Sequence, residues 1–336
     1  MNTLDIRLLQ ALREARVHLP AGDLAIQLGS SAATIRSAVN ELRGAGFEID
    51  ERPALGLRLT KSPDRLIAAD IAARFNLARP AVPPSSLVRE VVVFEETGST
   101  NELALQRGRD GAESGLVIFA ERQSAGRGRF GRRWESASHR GLWFSLLLRP
   151  ELPMVQWPRL TTWAAAGVAG AIESATFQRA AIKWPNDVFL GGQKIAGILI
   201  ESGSDAEGGL FAVVGIGINV NHEADDFPPE LAGRASSLRL ATGRPHDRAE
   251  LAARVLIELD VRFALLRDAF AELVGEASRR SLLLGRWVQL SSGAHLHEGL
   301  AEGLDDDGQL RVRAPDGTLA SLIAGEVTVV GSRAIS

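Results

Sequence analysis

Apolar residues recur along the first sixty positions at helical spacing. Leu4, Leu8 and Leu12 lie four apart, Leu24 and Leu28 mark a short second helix ending at Gly29, and Ile35, Val39 and Leu42 face inward on a third. Ser31 stands where that third helix needs an N-cap, and Gly44 and Gly46 end it. The turn Leu28-Gly-Ser-Ser31 has helix-turn-helix spacing. Phe47 and Ile49, then Leu57 and Leu59, alternate as a two-stranded wing. One further helix is predicted over 64–78. The next eight residues, Arg79-Pro-Ala-Val-Pro-Pro-Ser-Ser86, carry three prolines in five positions, which disfavour helix and suit a linker.

From residue 87 to about 280 the pattern changes. Short apolar runs predict strands at 91–94, 116–120, 142–148, 181–184, 188–190, 195–201 and 211–219, with helices at 101–107, 160–177 and 248–268. Strands and helices that mix without strict alternation predict an α+β domain. Beyond residue 283 only strands are expected, at 287–290, 310–313, 319–323 and 327–330. Asp307-Gly308 and Asp316-Gly317 are hairpin turns, so a small barrel of about five strands fits.

Composition narrows the function classes. A chain of 336 residues exceeds one small core, so several domains are expected. The absence of cysteine excludes disulfides, thiolate catalysis and Cys-ligated metal sites. The first residues are charged, unlike a signal peptide, and the apolar stretch 163–175 is broken by Glu173, so a cytoplasmic protein without a membrane span is expected. A net charge of −3 gives no global basic field. Residues 1–60 carry seven Arg and seven acidic residues, a sum of zero, which weakens the case for DNA because phosphate neutralisation dominates affinity. Thr34, Arg36, Ser37 and Asn40 nevertheless point outward on the third helix, as groove-reading residues do. The plain alternative is an interaction module with a solvated face.

Two segments concentrate candidate chemistry. Glu121-Arg-Gln-Ser-Ala-Gly-Arg-Gly-Arg-Phe-Gly-Arg-Arg-Trp134 holds five arginines and three glycines. Glycines let backbone approach a ligand, and guanidinium groups offer planar donors to phosphate or carboxylate. An anion-binding catalytic loop, mobile when empty, competes here with a solvated basic loop or an RNA-binding Arg-Gly tract, although such tracts are usually longer and repetitive. The second segment is Lys183-Trp-Pro-Asn-Asp-Val-Phe-Leu-Gly-Gly-Gln-Lys-Ile-Ala-Gly-Ile-Leu-Ile-Glu201. Asp187 suits a magnesium ion and Asn186 a phosphate or ribose; an Asx turn between two strands is the simpler reading. Lys194 opens an apolar strand, either as a surface charge or as an ammonium aimed into a site. In Thr97-Gly-Ser-Thr-Asn101, Ser99 or Thr100 is a candidate N-cap, and the helix start suits a small polar ligand. Gly215-Ile-Gly-Ile-Asn219 places two glycines on one strand face, open to a flat ligand such as adenine or to tight packing under a helix. Together these segments suggest a site for a nucleoside phosphate and a carboxylate.

Taken in order, Ser99-Thr-Asn101, Gln123 through Trp134, Lys183 through Asp187, Lys194-Ile-Ala-Gly-Ile198 and Gly215 through Asn219 resemble the biotin–protein ligases. With its N-terminal helices the chain is similar to the bifunctional form that also represses biotin synthesis genes. The resemblance spans nearly the whole chain; the central motifs are specific, the N-terminal helices and the barrel much less so. It implies an α+β multidomain protein: a winged helix-turn-helix (1–62), a helix and proline-rich linker (63–86), a mixed-sheet catalytic domain of the biotin/lipoate ligase type (87–282) and an SH3-like β-barrel (283–336). It also implies a two-step reaction, in which biotin and ATP give biotinyl-5′-AMP and a carrier lysine then takes the biotinyl group. Such chemistry needs positioning and charge neutralisation rather than a protein nucleophile.

By motif, Ser99, Thr100, Asn101, Gln123, Arg127, Gly128, Arg129 and Gly197 would hold biotin, and Lys194 would contact its carboxylate and the α-phosphate. Arg129, Arg132, Trp134, Lys183, Asn186 and Asp187 would serve the ATP side, with Asp187 on Mg2+, and Asn219 would meet adenine. Lys194, Arg129 and Arg127 would be catalytic. Phe130 stands where a basic residue is common, which softens the loop's charge. Closing the loop would shield the mixed anhydride from water. Ser31, Thr34, Arg36, Ser37 and Asn40 would meet operator DNA. The implied partners are the biotin carboxyl carrier protein of acetyl-CoA carboxylase, operator DNA and a second copy in a ligand-linked homodimer. The rivals are a lipoate–protein ligase, a non-catalytic transcription factor that senses biotinyl-AMP, and a nucleic-acid adaptor using the Arg-Gly loop.

Overall fold

The three N-terminal helices form where the leucine spacing places them: α1 (Thr3–Glu14), α2 (Ala21–Leu28) and α3 (Ala32–Gly44). A computed structural model describes residues 3–78, 87–292 and 295–330 of the chain. Gly29 closes α2 at φ 63°, and the Ser31 hydroxyl accepts the Thr34 N–H at 3.1 Å as the α3 cap. Strands β1 (Glu48–Arg52) and β2 (Gly56–Lys61) pair antiparallel, and Phe47, Ile49 and Leu57 join the leucines in one small core.

Helix α4 (Ala68–Ala78) starts four residues later than its periodicity predicts. The expected first turn is engaged elsewhere: Leu66 N–H donates to Glu121 at 2.6 Å, and Arg248 binds the Asp64 carbonyl at 2.9 Å. The helix serves two cores, with Ala73 in the N-terminal one and Ile71 and Phe75 in the central one. The proline-rich stretch 79–86 lies outside the described residues.

The central domain is built on a seven-stranded mixed sheet ordered β3-β4-β5-β9-β8-β7-β6. The strands are β3 (Glu90–Thr97), β4 (Leu116–Gln123), β5 (Gly141–Leu148), β6 (Ala181–Lys183), β7 (Asp187–Leu190), β8 (Gln193–Ser204) and β9 (Leu210–Asn219). Only β3 and β4 are parallel, joined through α5 (Thr100–Arg109); every other pairing is antiparallel. Helix α6 (Arg159–Thr176) is rich in alanine and glycine so that it can pack closely; a Cβ on Gly167 would come 2.8 Å from Leu259. A short α7 (Leu238–Thr242) follows the sheet strands in the chain and leads to α8 (Arg248–Phe263), which carries Leu259. The single helix predicted over 248–268 divides into α8 and α9 (Leu265–Asp268), and α10 (Phe270–Arg279) follows. Apolar periodicity runs on across the break, but Arg262 bonds Glu276 at 2.8 Å, tying α10 to the end of α8, and α10 packs on α6.

The C-terminal residues form an antiparallel sheet ordered β13-β12-β11-β10-β14, from β10 (Trp287–Ser292), β11 (His295–Leu304), β12 (Leu310–Arg313), β13 (Leu319–Leu322) and β14 (Glu326–Val329). Both expected Asp-Gly turns carry a left-handed glycine, Gly308 at φ 78° and Gly317 at φ 86°. Trp184, in the turn between β6 and β7, enters this module's core and donates its indole N–H to Gly308 O at 3.0 Å. Among the described residues no helix is long and apolar enough to cross a membrane.

Candidate active site

One row of the central sheet sets the site. Across the strand register Trp143 on β5 stands beside Gly217 on β9, then Gly197 on β8, Asp187 on β7 and Lys183 on β6. Opposed residues share a sheet face, so two glycines form a floor between an indole and two charges. Trp134, from the end of the Arg-Gly loop, lies on that floor: an added Cβ would come within 2.7 Å of its ring at Gly197 and 2.6 Å at Gly217. The flat body admitted here is the protein's own indole. Gly215 instead accommodates helix α5, since a Cβ there would stand 2.0 Å from Asn101 Oδ1. Tight packing under a helix is therefore the outcome at Gly215, while at Gly217 the flat body is Trp134.

The Arg-Gly loop takes a defined path as a bent hairpin over this row. Gly128 N–H donates to Arg132 O at 2.7 Å and Trp134 N–H to Gly126 O at 3.0 Å. Phe130 sits exposed at the tip with φ 58°. Three arginines find acceptors on three different elements. Arg127 bonds Glu201 at 3.2 Å, Arg129 Nη1 donates to Asn186 Oδ1 at 2.7 Å, and Arg132 reaches both oxygens of Glu326 on β14 at 2.6 Å. Burial lowers the pKa of Arg129, while the Arg132 hydrogen bond holds the Glu326 carboxyl below the ordinary range. Lys194 Nζ lies 2.7 Å from Asp187 Oδ1 and 5.2 Å from the centroid of the Trp134 ring.

The inner end of the cavity is a continuous hydrogen-bonded chain. Ser99 occupies the N-cap position of α5 but its side chain makes no cap bond; the Thr100 N–H is satisfied by Gln123 Oε1 at 2.8 Å. Gln123 Nε2 donates to Ser136 at 3.1 Å, and the buried Ser145 hydroxyl lies 2.7 Å from Thr100 Oγ1 and 2.6 Å from Asn101 Oδ1. Asn101 Nδ2 donates to Glu201 at 2.8 Å. On another wall, buried His222 stacks on Phe227 at 5.2 Å and meets Trp143 edge-on at 5.7 Å, and burial lowers its pKa to about 4. Asn219 donates its Nδ2 to Ser236 O at 3.0 Å, which fixes the loop that follows β9.

These walls enclose a cavity of about 790 Å³. It is lined by every ligand residue expected from the motifs: Ser99, Thr100, Asn101, Gln123, Arg127, Gly128, Arg129, Arg132, Trp134, Lys183, Asn186, Asp187, Lys194, Gly197 and Asn219. Ser136, Ser145, Glu201, His222 and Glu326 take part without having been singled out. Glu201 ends the second motif, whereas Glu326 carries no local signal because the C-terminal module alone brings it to the loop. Among the described residues no three His, Cys, Asp or Glu side chains form a metal-holding group. Far from the cavity, Ser31, Thr34, Arg36, Ser37 and Asn40 are all exposed on α3, with the Ser31 hydroxyl occupied by the cap.

Residues 93–221 match the Biotin/lipoate A/B protein ligase family and residues 283–330 the Biotin protein ligase C terminal domain. A relative named bifunctional ligase/repressor BirA, from Bacillus spizizenii, is 34% identical over 301 residues, covering 86% of this chain and 87% of its own. A biotin--[acetyl-CoA-carboxylase] ligase from Mycobacterium tuberculosis is 34% identical over 228 residues, 66% of this chain and 82% of its own. The solved biotin protein ligase from Aquifex aeolicus in complex with biotin and ATP is similar with a TM-score of 0.62 and 31% identity, over 72% of this chain and 99% of that one.

Proposed function

The chain belongs to the biotin protein ligase family, and from that premise we propose how its own residues carry the reaction. The chain activates biotin with ATP to biotinyl-5′-AMP and transfers the biotinyl group to a lysine of a biotin carboxyl carrier protein. In the first step a biotin carboxylate oxygen attacks the α-phosphorus, the bond to the bridging oxygen breaks and pyrophosphate leaves. In the second the carrier amine attacks the acyl carbon, loses a proton and releases AMP.

The observation that carries the assignment is one cavity that gathers the cations of two separate segments on one glycine floor. Nucleophile and target are both anionic, so neutralisation is the main catalytic demand. Lys194 stands at the floor, where its ammonium bridges the biotin carboxylate and the α-phosphate. Arg129 lies opposite on the loop, and Lys183 and Arg132 face the departing pyrophosphate. Thr100, Asn101, Gln123 and Arg127 hold the biotin end. Trp134 serves the adenylate and seals the floor against water.

Asp187 pairs with Lys194. With Lys194 engaged by a ligand carboxylate, Asp187 would be the residue to hold Mg2+. One protein carboxylate fits an ion held chiefly by phosphate oxygens and water, and the ion would add charge neutralisation on the pyrophosphate.

Residues 1–62 are assigned as a winged helix-turn-helix that binds operator DNA as a ligand-linked dimer, supported by the exposed polar face of α3. Residues 283–330 are assigned as an SH3-like barrel.

The first test is biotin-dependent exchange of labelled pyrophosphate into ATP with magnesium. Exchange in the wild type and its loss by about 10²-fold or more in Lys194→Ala are expected; a folded wild-type chain without exchange refutes the assignment. For the N-terminal module, a gel shift on the organism's own biotin promoter should show binding only with biotin and ATP present, and binding indifferent to biotin refutes ligand-linked repression.

A further inference from the structure

Glu201 lies at the joint between the inner hydrogen-bonded chain and the Arg-Gly loop. One carboxylate oxygen accepts from Asn101 Nδ2 at 2.8 Å and the other from Arg127 at 3.2 Å. We propose that Glu201 is a positioning residue: it sets the direction of the hydrogen bonds that meet the biotin head and ties that direction to the loop. The proposal rests on the ligase assignment above.

Asn101 is 4% exposed, with its amide wedged against Gly215. An amide can be flipped without changing shape, so packing alone cannot decide which end faces Ser145. Glu201 decides it. A carboxylate only accepts, so the Asn101 NH2 must turn toward it, and Oδ1 must turn toward Ser145. Ser145 has one hydrogen and two acceptors within 2.7 Å. Committing it to Asn101 leaves the Ser145 oxygen to accept from Thr100. Gln123 is then oriented by the Thr100 N–H on its oxygen and Ser136 on its nitrogen. One charged acceptor at the rim thus fixes donor and acceptor ends from Asn101 to Ser145, while the Thr100 N–H fixes those of Gln123. Such networks act as a unit in low dielectric. A ligand head bearing both N–H and C=O groups is recognised only when those ends are fixed.

Three variants separate the two contacts. Glu201→Leu removes both. Glu201→Gln keeps an acceptor for Asn101 but loses the charge that holds Arg127. Arg127→Ala removes the loop contact together with Arg127's own part at the biotin end. In pyrophosphate exchange, Glu201→Gln should raise the biotin KM by about threefold and Arg127→Ala by at least as much, with the double variant no worse than Arg127→Ala. Glu201→Leu should raise it by about tenfold or more. The KM for ATP should stay within about twofold throughout, which a general structural defect would not spare. Thermal midpoints show whether Glu201→Leu is folded; if it is not, the Gln and Ala variants alone decide. The inference is overturned if Glu201→Leu is no weaker than Glu201→Gln, if the Gln and Ala effects add, or if both KM values rise together. Wild-type exchange with unchanged variants sinks this inference alone, whereas absent wild-type exchange sinks the ligase assignment.

Discussion

At the residue scale the cavity wall has a measurable acid weakness. His222 is 3% exposed, and burial lowers its pKa from 6.5 to about 4. The unfolded chain takes up a proton below about 6.5 that the folded chain refuses until about 4, so this group makes stability rise across that window and stay flat above it. The contribution lost on going from neutral pH to 4 is about 3 kcal/mol. Urea unfolding of the wild type and of His222→Phe, compared from pH 4 to 7, should show the variant losing that slope; equal slopes assign the acid sensitivity elsewhere. A second residue-scale outcome concerns Gly215. A methyl there meets Asn101 Oδ1 at 2.0 Å, so Gly215→Ala should cost about 1–3 kcal/mol of stability and weaken biotin binding, read by thermal midpoint and titration. That two glycines on one strand admit a close neighbour was legible from sequence. Which neighbour each admits was not, because Asn101 and Trp134 arrive from segments about a hundred residues away in the chain.

At the element scale, legibility followed local chemistry. Helices α1 to α3, the β1–β2 hairpin and the sheet strands stand where apolar spacing placed them. Strand β11 is absent from the strands expected from sequence, and Gly299 and Gly303 interrupt its apolar pattern. Gly299 is there because a Cβ would strike Arg313 O at 2.1 Å, a close approach that only the neighbouring strand reveals. The Arg-Gly loop was legible as a candidate anion site, but its anchoring on β14 through Glu326 was not legible. That geometry yields a prediction for the element. Arg129 is the loop's tie to the β6–β7 turn, through Asn186 at 2.7 Å. Arg129→Gly removes a charge from the reacting centre and loosens the cover above it. Pyrophosphate exchange should fall by about 10²-fold. Activated biotin should also escape, seen as biotin on bystander lysines of an added unrelated protein. Labelling that stays confined to the carrier contradicts a loop that retains the adenylate.

At the scale of the whole molecule, α4 makes the N-terminal helices and the catalytic domain one mechanical object. Asp70, 1% exposed, accepts from Arg13 Nε of α1 at 3.1 Å and from Arg74 Nε at 3.2 Å, and Arg74 goes on to Asp247 and Glu250 of α8 at 2.8 Å each. A parallel route runs from Asp64 through buried Arg248 to Glu121, two residues before Gln123 of the cavity. Burial alone would raise the Glu121 pKa, but Arg248 outweighs it and keeps the carboxylate charged. Removing one partner of a buried charge set strands the others, at about 3–5 kcal/mol. The N-terminal core is small and borrows Ala73 from α4, so it has little stability of its own to absorb that loss. Wild-type chain should therefore unfold in one calorimetric transition whose midpoint biotin raises as a whole. Asp70→Ala should split it, with an early N-terminal transition indifferent to biotin and a later one that biotin still raises. A single biotin-responsive transition in Asp70→Ala would mean that the Arg248–Glu121 route alone joins the domains, and Glu121→Gln would then be the variant that parts them.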